Sequence, residues 1–203
     1  MGKDYYMGIF LVTTAQYNRM LNGTDTSNSK VVIKNKTWNE IRGSAGVAAK
    51  PTSGPIANLN SKTGYTFDMP TESMWEVAAR AGVTAKWITG EDNVTSDKML
   101  QYAVSNASDV QEPGTKKPNN WGFYDITGNG WQWCRDMWNI ADLATLQTNG
   151  LVPITTGDSS YRAERSRGWS SNYDQKDGRL SARRKISVNS TSSMVIRLAL
   201  ICN

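Results

Sequence analysis

Cys134 and Cys202 are the chain's two cysteines, the residue type best suited to nucleophilic, redox or soft-metal chemistry. A reactive thiolate ordinarily needs a neighbouring base or cation, most often histidine, and the chain has no histidine. The same absence excludes serine hydrolase triads, histidine zinc sites and the histidine-based iron triad. Because the cysteines are far apart in sequence, two free thiols are favoured over a disulfide, and the redox compartment stays open.

The segment WGFYDITGNGWQWCRD, residues 121–136, surrounds the first cysteine and holds three of the chain's eight Trp residues. Trp131 and Trp133 are two positions apart, so in an extended segment their side chains point to one side and Gln132 points to the other. Each Trp can bury on the order of 150–250 Å², and the glycines between them permit tight turns. This composition favours a structural signature, with Trp75 as a further aromatic anchor, over an active site.

Positive charge is concentrated near the C-terminus. Residues 162–197 carry nine Lys or Arg and three Asp or Glu, in a chain whose net charge is +5. Two interpretations stay open: a solvated basic face, and a surface that attracts an acidic partner. Nucleic acid is not expected as that partner, because the segment has few aromatic side chains on which bases could stack.

Three capping patterns give the clearest helix signals. They open the segments TTAQYNRMLNG, TWNEIRG and TESMWEVAARAG, each of which ends at a glycine. In the third segment Met74, Ala78 and Ala81 share one face, which predicts that this helix packs on a core. The predicted N-caps are Thr13, Thr37 and Thr71.

Three short runs rich in β-branched residues predict strands: SKVVIKN, GYTFDMP and MVIRLALIC. The connecting sequence is rich in Gly, Asn, Ser and Thr, and residues 83–120 and 139–160 are predicted to be long irregular loops. The patterns therefore predict an α+β fold with few helices, short strands and much irregular loop, in a single domain over residues 1–203.

The length of 203 residues suffices for one domain with a hydrophobic core. No apolar run approaches the ~18 residues that a membrane span needs. The opening MGKDYYMGIFLV lacks the apolar stretch and cleavage site of a signal peptide. The initial Met1-Gly2 leaves open that a leader or an upstream domain precedes this sequence, and the oligomeric state is undetermined.

Several motifs occur in a distinctive order: DMPTESMWEVAARAG, then PNNWGFYDITGNGWQWCRD, then RSRGWSS, RLSARRK and MVIRLAL. Together they resemble the formylglycine-generating enzyme (sulfatase-modifying factor) domain family. The family pattern includes Pro-Thr-Glu-x-x-Trp-Glu, then Gly-Asn-Val-Trp-Glu-Trp, and later Arg-Gly-Gly-Ser-Trp. YYMGIFLVTTAQYNRML and NKTWNEIRG are similar to further family elements, so the resemblance covers nearly the whole chain. It implies a C-type-lectin-like fold.

The resemblance does not extend to the family's enzyme chemistry. Formylglycine generation in the family depends on two cysteines in the basic segment, which bind copper(I). The segment RSRGWSSNYDQKDGRLSARRK contains no cysteine. The sulfoxide-synthase branch uses iron held by histidine, which is absent here. We therefore predict no enzyme activity, with a formylglycine-generating-type oxidoreductase or a degenerate, inactive member as the alternative.

Calcium is the one cofactor that the resemblance implies. Family members often bind it near the Gly-Asn-x-Trp-Glu element, and the matching positions here are Asp125, Gly128, Gly130 and Gln132. Because Gln132 replaces an acidic Glu and a hard cation prefers carboxylates, only a weak site is implied. The alternative is that Asp125 and Gln132 make ordinary buried hydrogen bonds.

The variable proteins of diversity-generating retroelements share this domain and rewrite its C-terminal segment at adenines. The chain's ending, VIRLALICN, resembles their closing Gly-Phe-Arg-Leu-Ala-Leu strand, and RSRGW stands where the family has Arg-Gly-Gly-Ser-Trp. SSNYD and ISVNSTSS contain only residue types that rewritten Asn codons can encode. The resemblance implies a scaffold over about residues 1–160, and a variable region with a closing strand over about 161–203.

This branch of the resemblance predicts a non-enzymatic receptor or adhesin that binds a protein or surface glycan, on a virion or cell surface. Side chains rich in Ser, Asn and Tyr suit such binding, as in antibody loops. A structural or adhesion module without diversification is a further alternative. Trp169 is equally compatible with a core position. The predicted contact residues are Arg167, Trp169, Ser170, Ser171, Asn172, Tyr173, Asp174, Lys185, Ser187, Asn189, Ser192 and Ser193.

Overall fold

The computed structural model of the chain describes residues 4–25, 27–140, 150–170 and 178–202. In these ranges it has the predicted α+β character, with short elements and long irregular connections. No helix in the described ranges is long and apolar enough to cross a membrane. The helices are α1 (Thr14–Asn22), α2 (Trp38–Arg42), α3 (Gly54–Thr63), α4 (Glu72–Arg80) and α5 (Ser96–Met99). The strands are β1 (Tyr5–Met7), β2 (Phe67–Asp68), β3 (Gly130–Trp138), β4 (Asp158–Arg167), β5 (Arg184–Ser187), β6 (Met194–Val195) and β7 (Ala199–Ile201).

The three predicted helices α1, α2 and α4 are confirmed, together with their N-caps. Thr13, Thr37 and Thr71 each accept a hydrogen bond from the backbone N–H three residues further on. Each cap thereby satisfies a donor that the first helical turn leaves free. The predicted inner face of α4 is buried as well: Met74, Ala78 and Ala81.

The sequence patterns do not reveal α3 or the short α5. α3 has the sequence GPIANLNSKT, and its N-cap, Ser53, makes no side-chain capping hydrogen bond. Its composition of Gly, Pro and Asn gives a low intrinsic helix propensity. Ile56 is fully buried and the helix packs against α1 and α2. Tertiary packing therefore stabilises a helix that its local sequence does not predict.

The strands form two sheets. One has the order β1-β7-β2 with antiparallel neighbours. The other has the order β5-β4-β3-β6, in which only the β3–β6 pair is parallel. MVIRLALIC, predicted as one strand, is divided: its start forms β6 and its later part forms β7, with Arg197 between them. The closing segment of the chain therefore joins both sheets.

Two further strand predictions need correction. SKVVIKN forms no strand and makes only isolated bridges, from Val32 to Thr13 and from Lys34 to Val195. Only two residues of GYTFDMP, those of β2, are in a strand. Sequence patterns do not predict the long strands β3 and β4. Seven successive residues of β3 are buried, so the strand shows no alternation of buried and exposed positions, and β4 is largely polar.

β3 divides the core into two sides. Trp131 and Trp133 belong to one hydrophobic cluster, whereas Cys134 and Trp75 belong to another. Gln132 points to the second side, where its oxygen accepts a hydrogen bond from the Trp75 indole. This arrangement confirms the alternation expected from the spacing of the two Trp residues.

Replacing Trp133 by Ala will lower the free energy of unfolding by ~3–5 kcal/mol, because its side chain is fully buried. Its indole N–H also donates to the Lys36 carbonyl at 2.9 Å. Trp121 is 56% exposed, so Trp121→Ala is the matched control, with an expected loss below ~1 kcal/mol. Urea unfolding followed by circular dichroism measures both. Equal stability of the two variants would contradict the role of Trp133 as an anchor.

Candidate functional site

The start of β3 lies between two parts of the C-terminal segment. Gly130 is opposite Arg167, the last residue of β4, and Trp131 is beside Met194, the first residue of β6. The Trp131 N–H donates to the carbonyl of Ser193 at 2.9 Å. The chain that leaves β4 and the chain that enters β6 therefore meet at the same end of the sheet.

Trp169 follows β4 by two residues and is buried near this end of the sheet. Its ring belongs to a buried cluster that includes Val195, and its carbonyl accepts a hydrogen bond from the Ala107 N–H at 2.9 Å. Lys34 Nζ lies 5.4 Å from the ring centroid and pairs with Asp109. A charged pair thus lies beside the buried indole. We call the surface formed by Lys34, Asp109, Ser170, Ser192 and Ser193 the β3-end surface.

The predicted contact residues are divided between two places. Ser170 and Ser192 are exposed and Ser193 is half-buried, all on the β3-end surface. Lys185 and Ser187 instead lie on β5, an edge strand. Asn189 lies in the turn that follows β5. β5 is antiparallel to β4, so this group extends away from the end at which Arg167 lies. The predicted set is therefore two groups of residues rather than one patch.

The sequence predicts Arg167 and Trp169 as ligand contacts, but the structure buries both, with 3% and 8% of their surface exposed. They are buried because β3 and the closing segment pack around the end of β4. A buried side chain offers no area to a ligand, so this part of the prediction is corrected. For Trp169 the core position is the alternative that the sequence leaves open. Four predicted contacts lie outside the described residues: Ser171, Asn172, Tyr173 and Asp174.

Much of the basic segment is interior. Arg165 is fully buried, with Nε 2.9 Å from Glu72 Oε1 and Nη2 paired with Glu76. Arg183 Nη2 donates to the other Glu72 oxygen at 2.8 Å. Burial acts to raise the pKa of Glu76, but Arg165 and Arg80 outweigh it and hold that pKa below its ordinary value. The interpretation as a solvated basic face is therefore wrong for these arginines, because α4 supplies internal counter-charges.

Gln132 and Arg197 form a second buried network. Gln132 Oε1 accepts hydrogen bonds from Trp75 Nε1 and Arg197 Nε, both at 2.9 Å, and its Nε2 donates to the Asp125 carbonyl at 2.7 Å. Burial lowers the pKa of Arg197 to about 10, although the charge of Asp125 opposes this shift. The remaining Arg197 donors bond the backbone carbonyls of Gly8, Ile9 and Tyr124.

These contacts do not fit the calcium site implied at Asp125, Gly128, Gly130 and Gln132. The Gln132 oxygen already serves two donors, one of them a guanidinium, and an Asp125 oxygen faces Asn129 Nδ2 at 3.3 Å. Desolvation raises the pKa of Asp125, so its charged form is disfavoured. Within the described ranges no group of three or more His, Cys, Asp or Glu could hold a metal ion. Gln132 and Asp125 make ordinary buried hydrogen bonds instead.

Cys134 lies in an environment that suppresses thiol reactivity. Its burial, together with the charges of Glu72 and Asp136, raises the pKa of the thiol well above its ordinary value. Burial also raises the pKa of Asp136 to about 6, although this carboxylate accepts hydrogen bonds from the backbone N–H groups of Glu72 and Ile154. Cys134 and Cys202 are both free, as the sequence favours.

Sequence reasoning missed two sets of residues around these sites. Glu72 and Glu76 are the counter-charges of Arg165 and Arg183, and their spacing of four residues on one helix face is the sequence signal for them. Lys34 and Asp109 border Trp169, and no local pattern indicates them, because only folding brings them together.

A family model described as the sulfatase-modifying factor enzyme 1-like domain matches residues 1–199. The chain belongs to this family. It covers between 16% and 38% of the length of the curated relatives that it matches. One of these is the formylglycine-generating enzyme of Thermomonospora curvata, 30% identical over an alignment 83 residues long that covers 35% of this chain and 27% of the relative.

Two solved structures show the fold. Treponema denticola variable protein 1 superposes with a TM-score of 0.75 at 22% identity, covering 97% of this chain and 84% of that one. The Major Tropism Determinant I1 variant gives a TM-score of 0.51 at 15% identity, covering 97% of this chain and 50% of that one. The predicted C-type-lectin-like fold of the formylglycine-generating type is confirmed.

Ser166 occupies a backbone position that suits glycine. It has a φ of 75° within β4, where the family pattern has a glycine after the arginine. A left-handed conformation costs a residue with a Cβ atom ~1–2 kcal/mol. Ser166 is 5% exposed, and its hydroxyl donates to the Gly128 carbonyl only at a long 3.4 Å.

Ser166→Gly will raise the free energy of unfolding by about 1 kcal/mol, because relief of the left-handed strain exceeds the loss of one long hydrogen bond. Ser160→Gly is the matched control in the same strand, at a residue without positive φ, and should lose roughly 0.5–1 kcal/mol. Chemical denaturation compares the two. A loss of stability in both variants would refute strain at Ser166.

Calcium will leave the thermal midpoint unchanged, because the oxygens of Gln132 and Asp125 are engaged in internal hydrogen bonds. The measurement is thermal unfolding in millimolar calcium chloride against the same buffer with a chelator. A ligand that binds only the native state raises the midpoint in proportion to its occupancy. A concentration-dependent rise that Asp125→Asn abolishes would overturn this conclusion.

Proposed function

We propose that this protein is a non-enzymatic, ligand-binding variable protein of the retroelement-diversified kind. It binds a protein or surface glycan through exposed residues of its C-terminal segment and acts on a virion or cell surface. The observation that carries the proposal is the division of this segment. Its buried arginines, among them Arg165 and Arg197, are fixed inside the molecule, whereas Ser170 and Ser192 on the neighbouring loops are exposed. The fold likeness to Treponema denticola variable protein 1 supports it.

The division has a physical rationale. A scaffold that tolerates changes at its binding residues must keep its stabilising contacts elsewhere. Arg165 and Arg197 make such contacts, with α4 and with the N-terminal segment respectively. The β3-end surface is small, polar and hydroxyl-rich, with the Lys34–Asp109 pair at its border. Hydroxyl and amide groups suit adaptable hydrogen bonding to a protein or a glycan.

The absence of suitable catalytic groups supports a binding role. The chain has no histidine, and Cys134 is fully buried with its thiol pKa raised. Residues 165–185 contain no cysteine that could replace the copper ligands of the family's enzymes. We therefore propose that the protein does not catalyse formylglycine formation.

The second candidate is a formylglycine-generating-type oxidoreductase or an inactive descendant of one. Family membership favours it, and curated relatives include both formylglycine-generating enzymes and an inactive one from Bos taurus. A copper-supplemented assay on a cysteine-containing sulfatase peptide separates the candidates. Formation of formylglycine would establish the enzyme, and its absence is the outcome that we expect.

The DNA around the coding sequence provides the decisive test of diversification. We expect a near-identical repeat of the codons for residues ~165–197 beside a reverse transcriptase gene, with differences confined mainly to adenines. A locus without such a repeat and without that gene would refute the retroelement part of the proposal.

The double variant Ser170→Tyr/Ser192→Tyr will change the free energy of unfolding by less than ~0.5 kcal/mol, because both side chains are exposed. Ser166→Tyr is the matched control, since Ser166 is 5% exposed, and overpacking should cost at least ~2 kcal/mol there. Denaturant titration measures both variants. A loss in the double variant as large as in the control would show that these positions cannot vary freely.

A further inference from the structure

A two-lobed apolar groove runs along α1. The larger lobe has a volume of about 400 Å³ and is lined by residues that include Met20, Leu59 and Leu198. The smaller lobe, of about 260 Å³, continues towards Pro113. The two lobes are neighbours, since Phe10, Leu11 and Gln16 line both of them. We call these two connected lobes the α1 groove.

The apolar side chains of the α1 groove are exposed on a rigid backbone. Ile9 and Phe10 are 51% and 48% exposed. The Phe10 ring stacks on Tyr124 with centroids 5.0 Å apart, and the Ile9 carbonyl accepts hydrogen bonds from the Tyr124 N–H and from Arg197. Neighbouring exposed apolar residues on a fixed backbone are typical of interaction surfaces.

The rim of the α1 groove is predominantly basic. Arg19 borders the larger lobe and Lys30 the smaller one, and both are exposed. In the described part of the chain neither side chain makes an ion pair. Glu112, in the lining of the smaller lobe together with Lys30, is the acidic residue of the groove. Charge complementarity therefore favours an occupant with a carboxylate beside its apolar side chains.

The α1 groove is separate from the proposed variable surface. Its lining comes from residues 8–13, 16, 19, 20, 30, 59, 112, 113 and 198, all outside residues 165–197, whose codons we expect to be repeated beside the reverse transcriptase gene. Rewriting of that segment would leave the groove unchanged. An occupant of the groove would consequently be the same whatever ligand the variable residues bind.

We propose that the α1 groove binds an extended apolar segment of a partner protein that carries an acidic residue. Two neighbouring lobes with a shared wall suit an extended chain, because alternate side chains point the same way at a spacing of ~6–7 Å. One apolar side chain enters each lobe on either side of Phe10, and the carboxylate pairs with Arg19. Through this contact a constant partner holds the protein while its variable surface stays free.

The test is selection of a random library of about twelve-residue peptides on the wild-type protein. Selected peptides should be enriched in Leu, Ile or Phe together with Asp or Glu. Their affinity, measured by fluorescence anisotropy, should fall about tenfold on Ile9→Ser, because an apolar contact is lost. Arg19→Gln should weaken the acidic peptides severalfold and leave matched peptides with amides in place of the carboxylates unchanged.

Val77→Ser is the control, since Val77 lies on α4 outside the α1 groove and is 51% exposed, the same as Ile9. It should bind the selected peptides like the wild type. Equal thermal midpoints of all variants show that they are folded. Recovery of no binding peptide, or of peptides indifferent to Ile9→Ser, would overturn the proposal, as would stoichiometric binding of fatty acid alone. None of these outcomes bears on the variable surface, whose test uses Ser170 and Ser192.

Discussion

The amide of Gln132 is the contact on which the arrangement of this protein depends. Its oxygen joins Trp75 of α4 to Arg197 of the closing segment, and its nitrogen holds the turn at Asp125. Arg197 extends the network to the N-terminal segment through the Gly8 carbonyl. Gln132 therefore contacts two distant parts of the chain directly, α4 and the closing segment, and reaches a third, the N-terminal segment, through Arg197. Loss of one partner would leave buried polar groups unsatisfied, which costs ~1–3 kcal/mol for each group.

The buried ion pairs explain how a strongly basic segment can lie inside a small protein. Glu72 and Glu76 of α4 face Arg165, and Arg183 completes the cluster. Removing one partner of such a buried pair is expected to cost ~3–5 kcal/mol, because the remaining charge stays desolvated. These contacts fix β4 against α4. The loops that follow β4 and precede β6 are thereby free to carry exposed residues such as Ser170.

The surface proposed for binding and the groove proposed for anchoring lie in different parts of the chain. The β3-end surface is polar and belongs mainly to the C-terminal segment, whereas the α1 groove is apolar and belongs mainly to the N-terminal part. The two surfaces share the Arg197 network as their support, since Arg197 bonds the Ile9 carbonyl at the groove and follows β6. A change in exposed loop residues need not alter the groove, because the contacts between them are buried and satisfied.

Features encoded by local chemistry can be predicted from the sequence: the caps Thr13, Thr37 and Thr71, the alternation of Trp131 and Trp133, and the family through its ordered motifs. The remaining features depend on tertiary packing. α3 forms because it packs, and β3 is hidden from pattern analysis because both its faces are buried. Burial of Arg165 and Trp169 also depends on partners more than fifty residues away in the chain. Charge and hydropathy along a sequence do not identify such partners. A buried arginine and an exposed one have the same local charge, and only folding places a carboxylate beside the buried one.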